Sequence, residues 1–163
     1  MLKSLKELKN EGGEKIVFDA TEAVVGRLAS IIAKELLNGK EIVVVNVEKA
    51  IITGRKERVI EWYRSKLQVK SKVNPRRHGP FHPRTPNGIF RRIVRGMLPR
   101  RKPKGRDALR RLKVYVGIPE AVKEKPVRIK EALYRRSPYG YVTLEELARV
   151  FGWRPVIEKV GRA

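Results

Sequence analysis

The sequence predicts an α/β fold, and three observations carry that expectation. Lys15 to Asp19 (KIVFD) has the length and apolar content of a buried strand. Thr21 to Asn38 places Val25, Leu28, Ile31, Ile32 and Leu36 at helical spacing, and Gly39 follows as a residue able to close the helix in a left-handed turn. Ile42 to Val47 (IVVVNV) is continuous and β-branched, as in a strand covered on both faces. Strand, helix and strand in that order make a βαβ unit with parallel strands and a right-handed crossover. At 163 residues with 41% hydrophobic content, the chain is long enough for one domain with its own core.

Around this unit the chain reads as follows. Leu2, Leu5 and Leu8 stand three apart among lysines, the spacing of one or two amphipathic helical turns, broken by Gly12 and Gly13. Arg55 to Lys66 predicts a second helix, with Val59, Trp62 and Tyr63 on one face and Lys56, Glu57, Arg58 and Glu61 pointing away. On that face the two aromatic rings read as core, Trp62 more than Tyr63, with stacking on nucleobases as the alternative. From Lys70 to Gly88, prolines at 75, 80, 83 and 86 predict an extended loop. Ile89 to Leu98 returns to helical order: Ile89, Phe90, Ile93, Val94 and Met97 form one side, Arg91, Arg92 and Arg95 the other. Pro99 stops that helix, and a basic loop leads to Asp107 as the expected N-cap of a short helix. Lys113 to Gly117 predicts a strand, Pro119 to Pro126 a surface connection, and Thr143 to Glu146 a capping box opening a helix through Val150.

Charge is concentrated in one stretch. Between Lys70 and Arg111 the chain carries fifteen cations and one acid, Asp107, giving +14 of the formal +22. Arginine outnumbers lysine eleven to four there, and arginine grips phosphate bidentately and stacks on bases. Such a patch is the electrostatic footprint of a polyanion partner. A solvated flexible arm is the plainer reading of a charge run, but here the cations interleave with Pro, Phe and an amphipathic helix. The candidate contacts are Lys70, Lys72, Arg76, Arg77, His78, Phe81, His82, Arg84, Arg91, Arg92, Arg95, Arg100, Arg101, Lys102, Lys104, Arg106, Arg110 and Arg111. Phe81, between Pro80 and His82 in the basic loop, is the best placed to stack on a base. The absence of helix-turn-helix, zinc-finger and basic-zipper patterns, together with irregular Arg/Pro/His loops, favours folded RNA over duplex DNA.

Catalytic and metal chemistry find little support. There is no cysteine, so no thiolate metal site and no thiol nucleophile. No glycine-rich phosphate loop is present, and no cofactor is expected. His78 and His82 are four apart, yet Gly79, Pro80 and Pro83 exclude the single helix that would make them joint ligands, and both rings read as base or phosphate contacts. Glu57 and Glu61 interleave with Lys56, Arg58 and Arg64 as a solvated face. No signal peptide and no membrane-length apolar run appears, which points to a soluble intracellular protein. Two rival functions remain at this level: an RNA-processing or RNA-modifying enzyme, which would need the acid/base set not found here, and a general nucleic-acid condensing protein.

Val43-Val44-Val45-Asn46-Val47-Glu48-Lys49-Ala50, Ile52-Thr53-Gly54, Arg95-Gly96-Met97-Leu98-Pro99, Gly105-Arg106 and Leu112-Lys113-Val114-Tyr115, in this order and spacing, closely resemble the large-subunit ribosomal protein thirteen family. The resemblance covers about residues 15 to 119. Arg77-His78-Gly79-Pro80-Phe81-His82, continuing through Ile89-Phe90 to Arg95-Gly96, resembles its archaeal and eukaryotic branch, and the short tail after Pro119 fits an archaeal member. The resemblance implies a three-layer α/β/α fold with a small, mainly parallel sheet and basic loop extensions. It further implies binding of 23S-type rRNA early in assembly, cytoplasmic location in the large subunit beside other ribosomal proteins, and no catalysis, membrane contact or homo-oligomer. For residues 120–163 two readings stand: their Tyr134, Tyr139, Tyr141 and Trp153 meet a neighbouring protein, or they complete this chain's own core.

Overall fold

The computed structural model describes residues 2–3, 15–122, 124–135 and 138–155, excepting the side chains of Lys3, Pro75 and Arg76. Its strands are β1 (Leu2–Lys3), β2 (Lys15–Asp19), β3 (Glu41–Val45), β4 (Ile51–Thr53), β5 (Leu112–Val114), β6 (Arg128–Ile129) and β7 (Tyr141–Thr143). The α-helices are α1 (Val25–Leu37), α2 (Lys56–Gln68), α3 (Pro75–His78), α4 (Pro86–Met97), α5 (Pro103–Arg110) and α6 (Leu144–Val150).

The expected βαβ unit is present. β2, β3 and β5 form a three-stranded, wholly parallel sheet with β3 in the centre. Val127 adds to the β2 edge, donating to the Val17 carbonyl and accepting from the Asp19 amide, both at 2.9 Å. β6 continues from there to pair in parallel with β1, while β4 and β7 pair antiparallel.

Alternation along the strands divides the interior. Ile16, Phe18, Ile42, Val44 and Leu112 join the main core, where Leu28, Ile32 and Leu36 of α1 and Ile89, Phe90 and Val94 of α4 are buried with them. Val17, Val43 and Val45 point the other way and are covered by Val122 of the connection after β5. Burial of each such side chain contributes about 1.5–3 kcal/mol. The core also contains Ile129, Ala132, Val142, Leu144 and Leu147, so the C-terminal region finishes this chain's own interior. It does so with these aliphatic residues and Phe151, while Tyr139 and Tyr141 are 64% and 50% exposed.

Several boundaries differ from the expectation. Leu2–Lys3 is a strand and not part of a helical turn, while Leu5, Leu8, Gly12 and Gly13 lie outside the described residues. Helix α1 starts at Val25, because Glu22 takes a left-handed φ of 59° and Ala23 and Val24 bridge to Leu133 and Ile51. Gly39, at φ 98°, closes it as expected.

The prolines behave as helix starters more than as breakers. Pro75, Pro86 and Pro103 occupy the first turns of α3, α4 and α5. There the missing N–H has no intrahelical acceptor to lose, and the fixed φ suits the helix. Thus the proline stretch contains the single-turn α3, α4 begins three residues before Ile89, and Asp107 lies inside α5, whose N-cap is Lys102. The N-cap half of the expected capping box is present: the Thr143 hydroxyl accepts from the Glu146 amide at 3.1 Å, and Gly152 follows α6 at φ 90°.

Charges within this body are matched. Asp19, 8% exposed, accepts from Arg128 Nε (2.8 Å), the Thr21 hydroxyl (2.6 Å) and Asn46 Nδ2 (3.1 Å). Burial would raise its pKa, but hydrogen bonds from Thr21, Arg128 and Asn46 outweigh burial and hold it at about 2. The buried Glu35 pairs with Lys40 at 2.9 Å, and Glu48 Oε2 accepts from the Gly117 amide at 3.0 Å.

Candidate nucleic-acid interface

The basic stretch is mounted on two short helices. In α4, Pro86, Ile89, Phe90 and Val94 are buried and Ile93 packs against the core, while Arg91, Arg92 and Arg95 stand exposed on the opposite side as expected. Met97 departs from its apolar assignment and is 43% exposed, although Val94 before it and Leu98 after it are buried. At Gly96 an added Cβ would meet nothing within 4 Å. Leu98 is buried just beyond.

A tight turn joins α4 to α5. Gly105 lies so close to Pro99 that a Cβ there would sit 2.3 Å from the Pro99 carbonyl oxygen. This approach folds α5 back beside α4 and brings Arg91, Arg95, Arg100, Arg101, Arg106 and Arg110 around one hollow of about 510 Å³, floored by Leu98 and Leu109. All six are exposed, and no acid lines the hollow. Among the described residues, Arg110 is the member of this set that meets a carboxylate, Asp107 at 3.2 Å, with both groups open to solvent. Such a surface pair contributes little. Lys102 and Lys104 flank the hollow and are exposed.

The loop before α4 is fastened from two sides. The Tyr63 hydroxyl donates to the Pro83 carbonyl, and Arg92 Nη1 donates to the Phe81 carbonyl at 2.6 Å. Phe81 is thereby presented with its side chain 65% exposed, beside exposed Arg84. His82 is half-buried, and burial, then the Arg92 and Lys66 cations, push its pKa below the ordinary imidazole value. It is therefore neutral near pH 7, able to donate one N–H without adding charge. Arg77 and His78 are exposed on α3, some way along the chain from His82, and Lys70 and Lys72 are exposed on the approach. The Arg76 side chain falls outside the described residues.

Arg111 is set apart from the others. Its Nη2 donates to the Leu36 carbonyl at the end of α1 at 2.8 Å, which ties the guanidinium to the protein, while its Nε is buried with no hydrogen-bond partner among the described residues.

Trp62 is the clearest departure from the sequence expectation. It is 56% exposed, with Lys66 Nζ 3.4 Å from the ring centroid, while Tyr63 is buried against Phe151 at 5.3 Å. The signal was present: at about 100° per residue, Ile60 and Leu67 centre the apolar stripe of α2 on Tyr63 and leave Trp62 at its margin. No group of His, Asp and Glu suited to a metal ion occurs among the described residues, and none of their helices is long and apolar enough to cross a membrane.

The sequence profile of the ribosomal protein L13 family matches residues 14–121. The chain is 47% identical over 152 residues to large ribosomal subunit protein uL13 of Archaeoglobus fulgidus, covering 91% of this chain and 95% of the relative. It is 47% identical over 145 residues to that of Methanopyrus kandleri, covering 86% and 89%, and 45% identical over 152 residues to that of Aeropyrum pernix, covering 91% and 97%. The profile match runs from the first strand of the sheet past β5, taking in the whole basic face, and the similarity to archaeal relatives continues through the C-terminal core: this chain belongs to the ribosomal protein L13 family, in its archaeal type.

Proposed function

We propose that this chain is a non-catalytic component of the large ribosomal subunit that binds 23S-type rRNA and organises it early in assembly. The observation that carries the reading is the hollow between α4 and α5, where six arginines converge with no lining acid. Like charges held that close repel one another unless a polyanion lies against them. Phosphates entering the hollow release their counterions, and the rigid apolar backing of α4 fixes where those phosphates stand. Phe81 and the loop held by Tyr63 and Arg92 give the same face a stacking group for an unpaired base. The body acts as one domain, localised with the ribosome in the cytoplasm, and its neighbours there are rRNA and other large-subunit proteins.

Sedimentation of native extract through a sucrose gradient in high salt tests this. The protein should remain with the large subunit; recovery only from free fractions would mean a visiting factor. Early entry predicts binding to bare rRNA in stepwise reconstitution, and a requirement for another protein to bind first would contradict it.

A further inference from the structure

Trp62 stands between two hollows. One, lined by Lys66, His82, Arg92 and Gly96, connects it to the arginine face of α4. The other, about 680 Å³, lies beyond residues 70–111 and is lined by Ile52, Gly54, Arg55, Arg58, Val59 and Tyr139, among others. Lys66 covers the ring at 3.4 Å. Tyr139 is 64% exposed, and a hydrogen bond from the Gly54 amide to the Gly140 carbonyl (3.2 Å) holds its turn beside the strand end.

We infer that the Trp62 groove seats one unpaired nucleotide of the bound RNA, its base against the Trp62 indole and its phosphate on Arg55 and Arg58. Three features favour a nucleotide over an apolar peptide. The lining carries two cations and no acid, complementary to phosphate. An indole left more than half exposed offers the flat surface on which any base stacks. The neighbouring hollow, which shares Ile52 and Trp62 with the groove, carries Lys66 and Arg92 and no acid, so a strand leaving α4 meets two cations on its way to Trp62. This inference rests on the rRNA-binding reading and extends it to the α2 face, which the charge run in the sequence did not mark.

The test uses the full chain with Trp153→Phe, leaving Trp62 as the sole tryptophan, titrated with single-stranded oligoadenylate and separately with large-subunit rRNA. Saturable quenching of Trp62 emission is expected. Trp62→Ala should weaken oligoadenylate binding by about 5- to 150-fold, the range for loss of one base–aromatic stack, and Trp62→Phe should recover much of it. Arg55→Ala with Arg58→Ala should also flatten the salt dependence, by about 0.7 log units for each single-strand phosphate left without its cation. RNA binding with unchanged Trp62 emission, and unchanged affinity in Trp62→Ala, would overturn the inference and leave the basic face standing. Failure to bind either RNA would overturn the rRNA-binding reading itself. In isolated large subunits, a photocrosslink from Trp62 to a nucleotide is the expected result, and one to a neighbouring protein's peptide would refute the assignment.

Discussion

The β2–β3–β5 sheet with α1 and the α4–α5 pair both bury an apolar stripe, but they treat charge in opposite ways. In the sheet region each buried acid has an internal partner: Asp19 has Arg128, Thr21 and Asn46, Glu35 has Lys40, and Glu48 has the Gly117 amide. In the α4–α5 pair, Arg95, Arg100, Arg101 and Arg106 meet no carboxylate among the described residues. The comparison separates charge that stabilises the fold from charge directed outward. Substitutions should therefore divide into those that lower stability and those that lower RNA affinity, with the α4–α5 turn the place where both fail together.

The largest expected effect is at that turn. Gly105→Ala drives a Cβ into the Pro99 carbonyl, which flexible side chains cannot relieve. It should cost about 3 kcal/mol, at the upper end of overpacking effects, and disperse the six arginines. Urea unfolding and rRNA filter binding on one preparation would check it, and a variant with normal stability and affinity would show that the turn does not organise the site.

Arg111→Ala should behave as a stability variant despite its place in the basic run. Losing its bond to Leu36 removes a charge-assisted interaction, for about 2 kcal/mol. The salt slope of RNA binding should stay unchanged. A shallower slope with full stability would move Arg111 to the interface.

This contrast also marks what the sequence made legible. The βαβ unit, the parallel sheet, the Thr143 cap and the outward face of α4 follow from periodicity and capping chemistry, which act over a few residues. What could not be read depends on distant partners. Nothing near Arg111 announces that the α1 carbonyl at Leu36 will face it, and nothing near Trp62 shows that the core available to α2 is filled by Tyr63 and Phe151. The prolines misled for a different reason, because the same residue breaks a helix from inside and begins one at its first turn.

A smaller effect belongs to Asp19. Its folded pKa, about 2, lies below the 3.8 of the free carboxyl. Its stabilisation is therefore complete above about pH 4–5 and is lost as pH falls through 2. Because Arg128 is partly open to solvent, the contribution is about 1 kcal/mol. Asp19→Asn should lower the urea midpoint at pH 7 and reduce the difference between pH 5 and pH 2.5. An equal pH response in both proteins would assign acid sensitivity elsewhere. The smallest expected change is Thr143→Ala, which removes the cap of α6 for about 0.5–1 kcal/mol and leaves RNA binding untouched.

The central claim, that arginines meeting no carboxylate among the described residues hold RNA phosphates, is tested most directly by the salt dependence of rRNA binding. Wild-type protein should be compared with the fourfold alanine variant at Arg95, Arg100, Arg101 and Arg106, with thermal unfolding followed in parallel. The account predicts an unchanged melting transition and a slope of log K against log salt shallower by about 0.7–0.9 for each phosphate no longer neutralised. An unchanged slope, or a variant that unfolds, would contradict it.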